Sequence, residues 1–213
     1  IAAACVFNNY IDRGIDQKMS RTKDRALVKN LIPKKHALIY GIILGTIGTA
    51  VLAYYTNLVT LSLAGLGFLF YVIFYSIEKR RSIHGTLVGA ISGATPPVIG
   101  YCAVTGNFDL GALLLFIILV IWQMPHFYAI AIYRLNDYAA ANIPVLPVKQ
   151  GIEETKKAML LYILAFTVAT LTLNFFGYAG TLYILVAGFL DILWLLLWLE
   201  GLRTTDNKRW ARK

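Results

Sequence analysis

The feature that most constrains this chain is a series of apolar runs without Lys or Arg, each about the ~20 residues needed to cross a bilayer. They fall at Ala37 to Tyr55, Leu58 to Ile77, Thr86 to Val104, Leu110 to Ile132, Ala158 to Phe176 and Thr181 to Leu199. Residues Ile1 to about Tyr10 read as the tail of one more run, so the chain is expected to begin inside a helix, as a fragment truncated at both ends. The opening Ile-Ala-Ala-Ala-Cys carries no basic region ahead of an apolar stretch, and no signal peptide is expected. With 58% hydrophobic and 15% charged residues in 213, the chain has more apolar surface than one water-facing globule can hide. In hydrocarbon each segment must satisfy its own backbone hydrogen bonds. The expected fold is therefore all-α, a polytopic transmembrane helix bundle forming one domain over residues 1–213, and not a strand-alternating barrel.

A net charge of +9 would suit a nucleic-acid partner if it were spread over a face. Instead the twenty Lys and Arg fall in four clusters: Arg13 to Lys35, Lys79 to Arg81, Arg134 to Lys157 and Arg203 to Lys213. The alternate connections, Thr56-Asn57, Thr105 to Asp109 and Gly177 to Gly180, contain none. The positive-inside rule then places all four clusters in the cytoplasm. Four crossings separate the Asp12 region from the Asp137 region, so both are expected on the cytoplasmic face. Cys5 and Cys102 have no C-x-x-C spacing and sit among apolar residues, which argues against a disulfide or a zinc site and for buried small hydrophobes.

Gly85, Gly89 and Gly93 recur every fourth residue; the spacing suits close helix packing first and a ligand groove second. Pro96 and Pro97 interrupt the same span, predicting a kink and carbonyls that need new partners.

Asn8, Asp12 and Asp16 also recur every fourth residue, on one helix face at the exit of an apolar run. They extend over roughly 12 Å of helix axis, too far for one ion, so neighbouring members hold one cation or the row holds two. A solvated helix end paired to Arg13, Lys18 and Arg21 is the plainer alternative. Carboxylates at the membrane edge are costly to keep without a use, however. The loop beyond supplies Arg21, Lys23 and Arg25. Acids repel a diphosphate directly and bind it through Mg²⁺, while Lys and Arg neutralise the charge that grows on a departing diphosphate. The row therefore reads as a diphosphate site whose other substrate half is greasy.

A second segment, Trp122-Gln123-Met124-Pro125-His126-Phe127 through Tyr133-Arg134-Leu135-Asn136-Asp137 to Ile143-Pro144-Val145-Leu146-Pro147, leads a span into another cytoplasmic loop. Asn-x-x-x-Asp-x-x-x-Asp followed by Arg-Thr-Lys-x-Arg resembles the first motif of the UbiA-type membrane prenyltransferases. The second segment, with Gly93-Ala94-Thr95-Pro96-Pro97, resembles the branch of that family whose acceptor is protoheme IX (heme B). The resemblance covers essentially the whole chain. It implies nine helices, of which this chain would lack the first, most of the second and the last.

It also implies Mg²⁺ held by Asn8, Asp12, Asp16 and Asp137, with Arg134 and Lys149 as further diphosphate partners. Farnesyl diphosphate and heme B would be the substrates and heme O the product, in a bacterial inner membrane with the site on the cytoplasmic side. A heme-modifying enzyme or an oxidase assembly would stand downstream. Tyr133 replaces the first acid of the family's second motif, which fits the heme branch and leaves Asp137 as the acid carried over. His126 stays open between a packed core histidine and a heme contact. Lys79, Arg80 and Arg81 stay open between heme propionates, diphosphate and headgroup anchoring. The rivals are a UbiA-type enzyme for another aromatic acceptor, such as a quinone precursor, and a transporter with an acidic cation path, which only Asp191 would suit.

Overall fold

The computed structural model describes residues 1–213 and is entirely helical. A short first helix, α1 (Ala2–Asp16), is followed by six helices long and apolar enough to cross a membrane, with mean hydropathy between 1.5 and 2.3. These are α2 (Lys34–Tyr55), α3 (Leu58–Glu78), α4 (Gly85–Thr105), α5 (Leu110–Tyr133), α7 (Leu146–Phe175) and α8 (Thr181–Arg203). Two short pieces complete the chain: α6 (Leu135–Ala140), between α5 and α7, and α9 (Asn207–Trp210), after α8. The protein is an integral membrane protein. Its large exposed side chains, such as Ile42, Val51, Leu161 and Leu190, are those a lipid-facing surface requires.

Packing follows chain order: α1 against α2 and the latter half of α3, then α3 on α4, α4 on α5, α5 on α7 and α7 on α8. The apolar core lies between α5, α7 and α8, around Met124, Tyr128, Ile132, Met159, Ile163 and Trp198. On the other side of α5 the helices stand apart. A cavity of about 2080 Å³ opens there, lined by α1 to α5.

Local sequence explains how that cavity is held open. Pro96 has no N–H to give Ser92, and the Thr95 hydroxyl donates to the Ser92 carbonyl instead, at 2.8 Å. Thus α4 runs on as a helix through both prolines. Asn57 starts α3 by accepting from the Thr60 N–H at 2.9 Å, and its amide donates to the Cys102 carbonyl at 2.8 Å, tying α3 to the end of α4.

Within α3, residues Phe70–Tyr75 form a π-helical turn that the sequence pattern did not indicate. The start of α7 also differs from expectation: it begins at Leu146 rather than near Ala158. The charged stretch after Leu146 is helical, with a bend at Gly151, where φ is +85°.

All three regularly spaced glycines mark close approach. A Cβ on Gly85 would stand 2.5 Å from the Lys79 Cα and one on Gly89 3.0 Å from the Tyr75 ring, while one on Gly93 would collide with the Gln123 side chain. The same residues line the cavity, so packing and groove coincide. Cys102 is buried as expected. Cys5 is not: it is exposed and borders the cavity, because it lies on the face of α1 that looks across to α2 and α3.

Candidate active site

The row on α1 forms as the spacing dictates, and Asn8, Asp12 and Asp16 are all buried along one end of the cavity. Each acid has cationic partners. Asp12 is paired with Lys79, whose ammonium is itself buried, and accepts from Arg80 at 3.2 Å. Asp16 accepts from Arg25 at 2.7 Å, and the same guanidinium donates to the Asn9 side chain at 2.9 Å. The Thr22 hydroxyl closes the turn onto the Asp16 carbonyl at 3.1 Å.

Parity holds for Asp137. Its Oδ1 accepts from the Ser20 N–H at 3.1 Å and the Ser20 hydroxyl at 2.7 Å, which joins α6 to the loop leaving α1. Met19, Ala141 and Ile143 pack beneath that junction. Ser20 was not singled out from the sequence, where one serine among basic residues carries no signal. Its hydroxyl bond, above all, holds the Asp137 carboxyl below the usual carboxylate range.

Removing that bond gives a testable result. A group with a depressed folded-state pKa contributes stability above its unfolded pKa and loses it as pH falls through the folded one. Ser20→Ala should therefore modestly lower stability near neutrality, and the difference from wild type should close as pH falls through the folded-state pKa of Asp137. Thermal melts of detergent-solubilised protein between neutral and acid pH would show it; coincident curves for variant and wild type would refute it.

The three-residue basic run divides. Lys79 points into the cavity, its Nζ 4.6 Å from the centroid of the Tyr75 ring, and burial pushes its ammonium below the ordinary value against the pull of Asp12. Arg80 reaches back to Asp12 and the Ile11 carbonyl, and Arg81 is exposed outside the cavity. Of the other expected residues, Arg21, Arg25 and Arg134 line the cavity, whereas Lys23 and Lys149 are exposed and do not. His126 lies outside as well. It is exposed on the far side of α5, stacked on Trp122 with ring centroids 5.5 Å apart and planes at 9°. Asp191 is buried beside Thr167 and Thr170, between α7 and α8, and does not border the cavity.

Tyr71 and Tyr75, both carried on the π turn, were also missed. Their rings stack 5.7 Å apart on the cavity wall just inside Asp12. From Gly85 the lining continues along α4 to Ile99, about 21 Å of helix axis. The arrangement is an ionic mouth over an apolar shaft, with aromatic faces at the boundary.

As a place for a divalent cation, the site offers the right atoms in kind, carboxylate and amide oxygens. The Asn8 amide and the Asp137 Oδ2 are buried without hydrogen-bond partners. The acids do not gather three together around one point, however, and Asp12 and Asp16 already lie in ion pairs. The residues fit a cation that takes part of its shell from a substrate, not one caged by protein alone.

A membrane-embedded apolar shaft closed by an acid-and-cation mouth defines a class of enzyme, and residues 1–213 match the UbiA prenyltransferase family over their full extent. The chain belongs to that family and is a membrane prenyltransferase. It is 51% identical over 213 residues to the protoheme IX farnesyltransferase of Protochlamydia amoebophila, covering 100% of this chain and 75% of that one. It is 56% identical over 214 residues to the protoheme IX farnesyltransferase of Yersinia pseudotuberculosis, covering 100% and 72%. Among solved structures it is similar to one from work on digeranylgeranylglyceryl phosphate synthase in membranes, with a TM-score of 0.78 at 19% identity, over 99% of this chain and 73% of that one. That likeness concerns the fold.

Proposed function

We propose that this enzyme transfers a farnesyl group from farnesyl diphosphate to a vinyl group of heme B, and that water addition completes heme O. The observation that carries the acceptor is the 51–56% identity, across the whole chain, to protoheme IX farnesyltransferases. The donor is supported by the mouth, where acids and cations alternate above an apolar shaft. The single domain 1–213 is read as the prenyltransferase unit itself. The cytoplasmic face of a bacterial inner membrane is supported by the four basic clusters.

Asn8, Asp12, Asp16 and Asp137 are the residues that would hold Mg²⁺. When bound, Mg²⁺ supplies charge neutralisation at the diphosphate oxygens. Lys79 and Arg25 turn from their carboxylate partners onto the diphosphate and, with Arg21, hold it as the C1–O bond breaks and the electron pair leaves with oxygen. The Tyr75 ring, which already accepts the Lys79 ammonium on its face, stands where an allylic cation would form, and an aromatic face stabilises such charge. The apolar shaft orders the isoprenoid tail and keeps water from the cation. The vinyl carbon of the acceptor then bonds to C1; water adds at the neighbouring carbon and loses a proton to give the hydroxyl group. Farnesyl diphosphate, heme B and water thereby become heme O and diphosphate.

The test is to supply the full-length protein in membranes with heme B, farnesyl diphosphate and Mg²⁺ and to look for heme O by chromatography and mass spectrometry. Formation of heme O supports the reading. Prenylation of a phenolic acid in its place, by a preparation inert towards heme B, would overturn it.

A further inference from the structure

The mouth contains a second group of cations whose setting differs from the first. Lys79, Arg80 and Arg25 are interleaved with acids, so anions reach them only when those acids are neutralised. Around Tyr133, at the end of α5, three other cations collect. The Arg134 guanidinium carbon lies 4.6 Å from the ring centroid, the Arg212 one 5.3 Å and the Lys208 Nζ 5.7 Å. The acid paired within the group is Asp137, which is 3.9 Å from Arg134 and is engaged by Ser20; Asp206 caps α9 through the Arg209 N–H, and Lys208 and Arg212 form no ion pair.

Charges that serve only to fix topology need no defined position, but these have one. Trp210 lies between Lys208 and Arg212 in sequence and is buried in the core; its indole N–H donates to the Leu197 carbonyl at 2.7 Å, against Gly201, where any Cβ would strike its ring. The buried Lys156 ammonium stands 5.6 Å from the centroid of the Trp210 ring. Tyr133 and Arg134 line the cavity, and through them the cluster adjoins it, with Lys208 and Arg212 standing just outside the lining.

We infer that Arg134, Lys208 and Arg212, arranged about Tyr133, form a second anion subsite that takes the carboxylates of the prenyl acceptor. The mouth then holds two anion sites of different chemistry. One contains acids and accepts a diphosphate only together with a divalent cation. The other carries, in Lys208 and Arg212, an ammonium and a guanidinium with no acid partner and accepts carboxylates without metal. An aromatic ring at its centre suits a flat acceptor whose acidic groups stay at the membrane edge while its body enters hydrocarbon. Arg134 is thereby assigned to the acceptor and not to the diphosphate. This inference rests on the reading of heme B, a dicarboxylate, as acceptor.

The experiment compares full-length wild type with Lys208→Gln/Arg212→Gln in phosphatidylcholine nanodiscs, titrated with heme B and with its dimethyl ester by Soret absorbance. Both positions are solvent-exposed, so the fold is retained, and a thermal melt checks it. Wild type is expected to prefer the free acid. The double variant should lose about ten- to hundredfold in affinity for heme B and bind acid and ester alike, with one to two charge-assisted bonds removed. Its Mg²⁺-dependent affinity for farnesyl thiodiphosphate should stay within about twofold, as expected when no diphosphate contact is touched.

Equal loss of thiodiphosphate binding, or retained discrimination between acid and ester, overturns the inference. So does a variant that loses only its retention on phosphatidylglycerol vesicles, which would make the cluster a headgroup site. Wild type that fails to bind heme B at all removes the heme reading and this inference with it; that outcome is distinct from wild type that binds heme B with the variant unchanged.

Discussion

Asp12→Asn is expected to abolish prenyl transfer, by about 10³-fold or more, and to destabilise the protein at the same time. The two effects have separate causes. Loss of the carboxylate removes the central oxygen pair of the α1 row, to which the proposed function assigns charge neutralisation of the diphosphate. It also leaves the Lys79 ammonium buried with its main partner gone, since Asp12 is the acid it pairs with. Breaking a buried pair from one side costs about 3–5 kcal/mol, much more than the intact pair contributes.

The double variant Asp12→Asn/Lys79→Met separates the causes. It should recover most of the melting temperature lost in Asp12→Asn and none of the transfer activity. Melts in detergent and product assays on the same preparations would decide. An Asp12→Asn protein that melts like wild type, or a double variant that regains activity, would show that the pair is not arranged as described.

Gly85→Ala is the second large expected effect, and it arises from backbone contact, not charge. The added methyl would stand 2.5 Å from the Lys79 Cα and 2.8 Å from its N, atoms that cannot turn away as a side-chain tip can. Either α4 or the end of α3 has to move, at a cost of about 1–3 kcal/mol. Because Lys79 is carried on the displaced backbone, transfer should fall by about 10²-fold even though Gly85 touches no reacting atom. Gly100→Ala on the same helix is the control. A Cβ there meets nothing within 4 Å, so the variant should keep its activity and melt no lower than wild type. Similar behaviour of the two variants would show that Gly85 is tolerant and the close approach is not tight.

The spans were legible because hydrocarbon leaves a continuous signature: each apolar run became a helix, and the basic clusters marked the ends on one side. What the runs could not show was helix continuing past the hydrocarbon. The start of α7 carries Lys149, Gln150, Glu153, Glu154, Thr155, Lys156 and Lys157 ahead of its apolar run, so this part of the helix has no hydropathic signal. The acidic row was legible from its period of four, and counting crossings was enough to bring Asp137 to it.

The sequence could not say which of three consecutive basic residues faces inward. Lys79 was grouped with Arg80 and Arg81, yet it alone is buried, because direction depends on helical phase and phase depends on the π turn before it. His126 was raised by the chemistry of imidazole, but it lies on the outer face of α5. The cations around Tyr133 come together only in three dimensions, from segments more than seventy residues apart in the chain.

The π turn in α3 has a consequence for how such a span is tuned. A helix that must reach from one headgroup layer to the other has its length dictated by the bilayer, so a functional side chain near its end cannot be aimed by lengthening or shortening the rod. Accommodating one additional residue within a turn rotates everything beyond it by about 100° while the two ends stay at their surfaces. The turn acts as a gear: it sets the azimuth of Ser76 and Lys79 independently of depth, and the direction of the ammonium towards α1 is fixed by winding and not by reach.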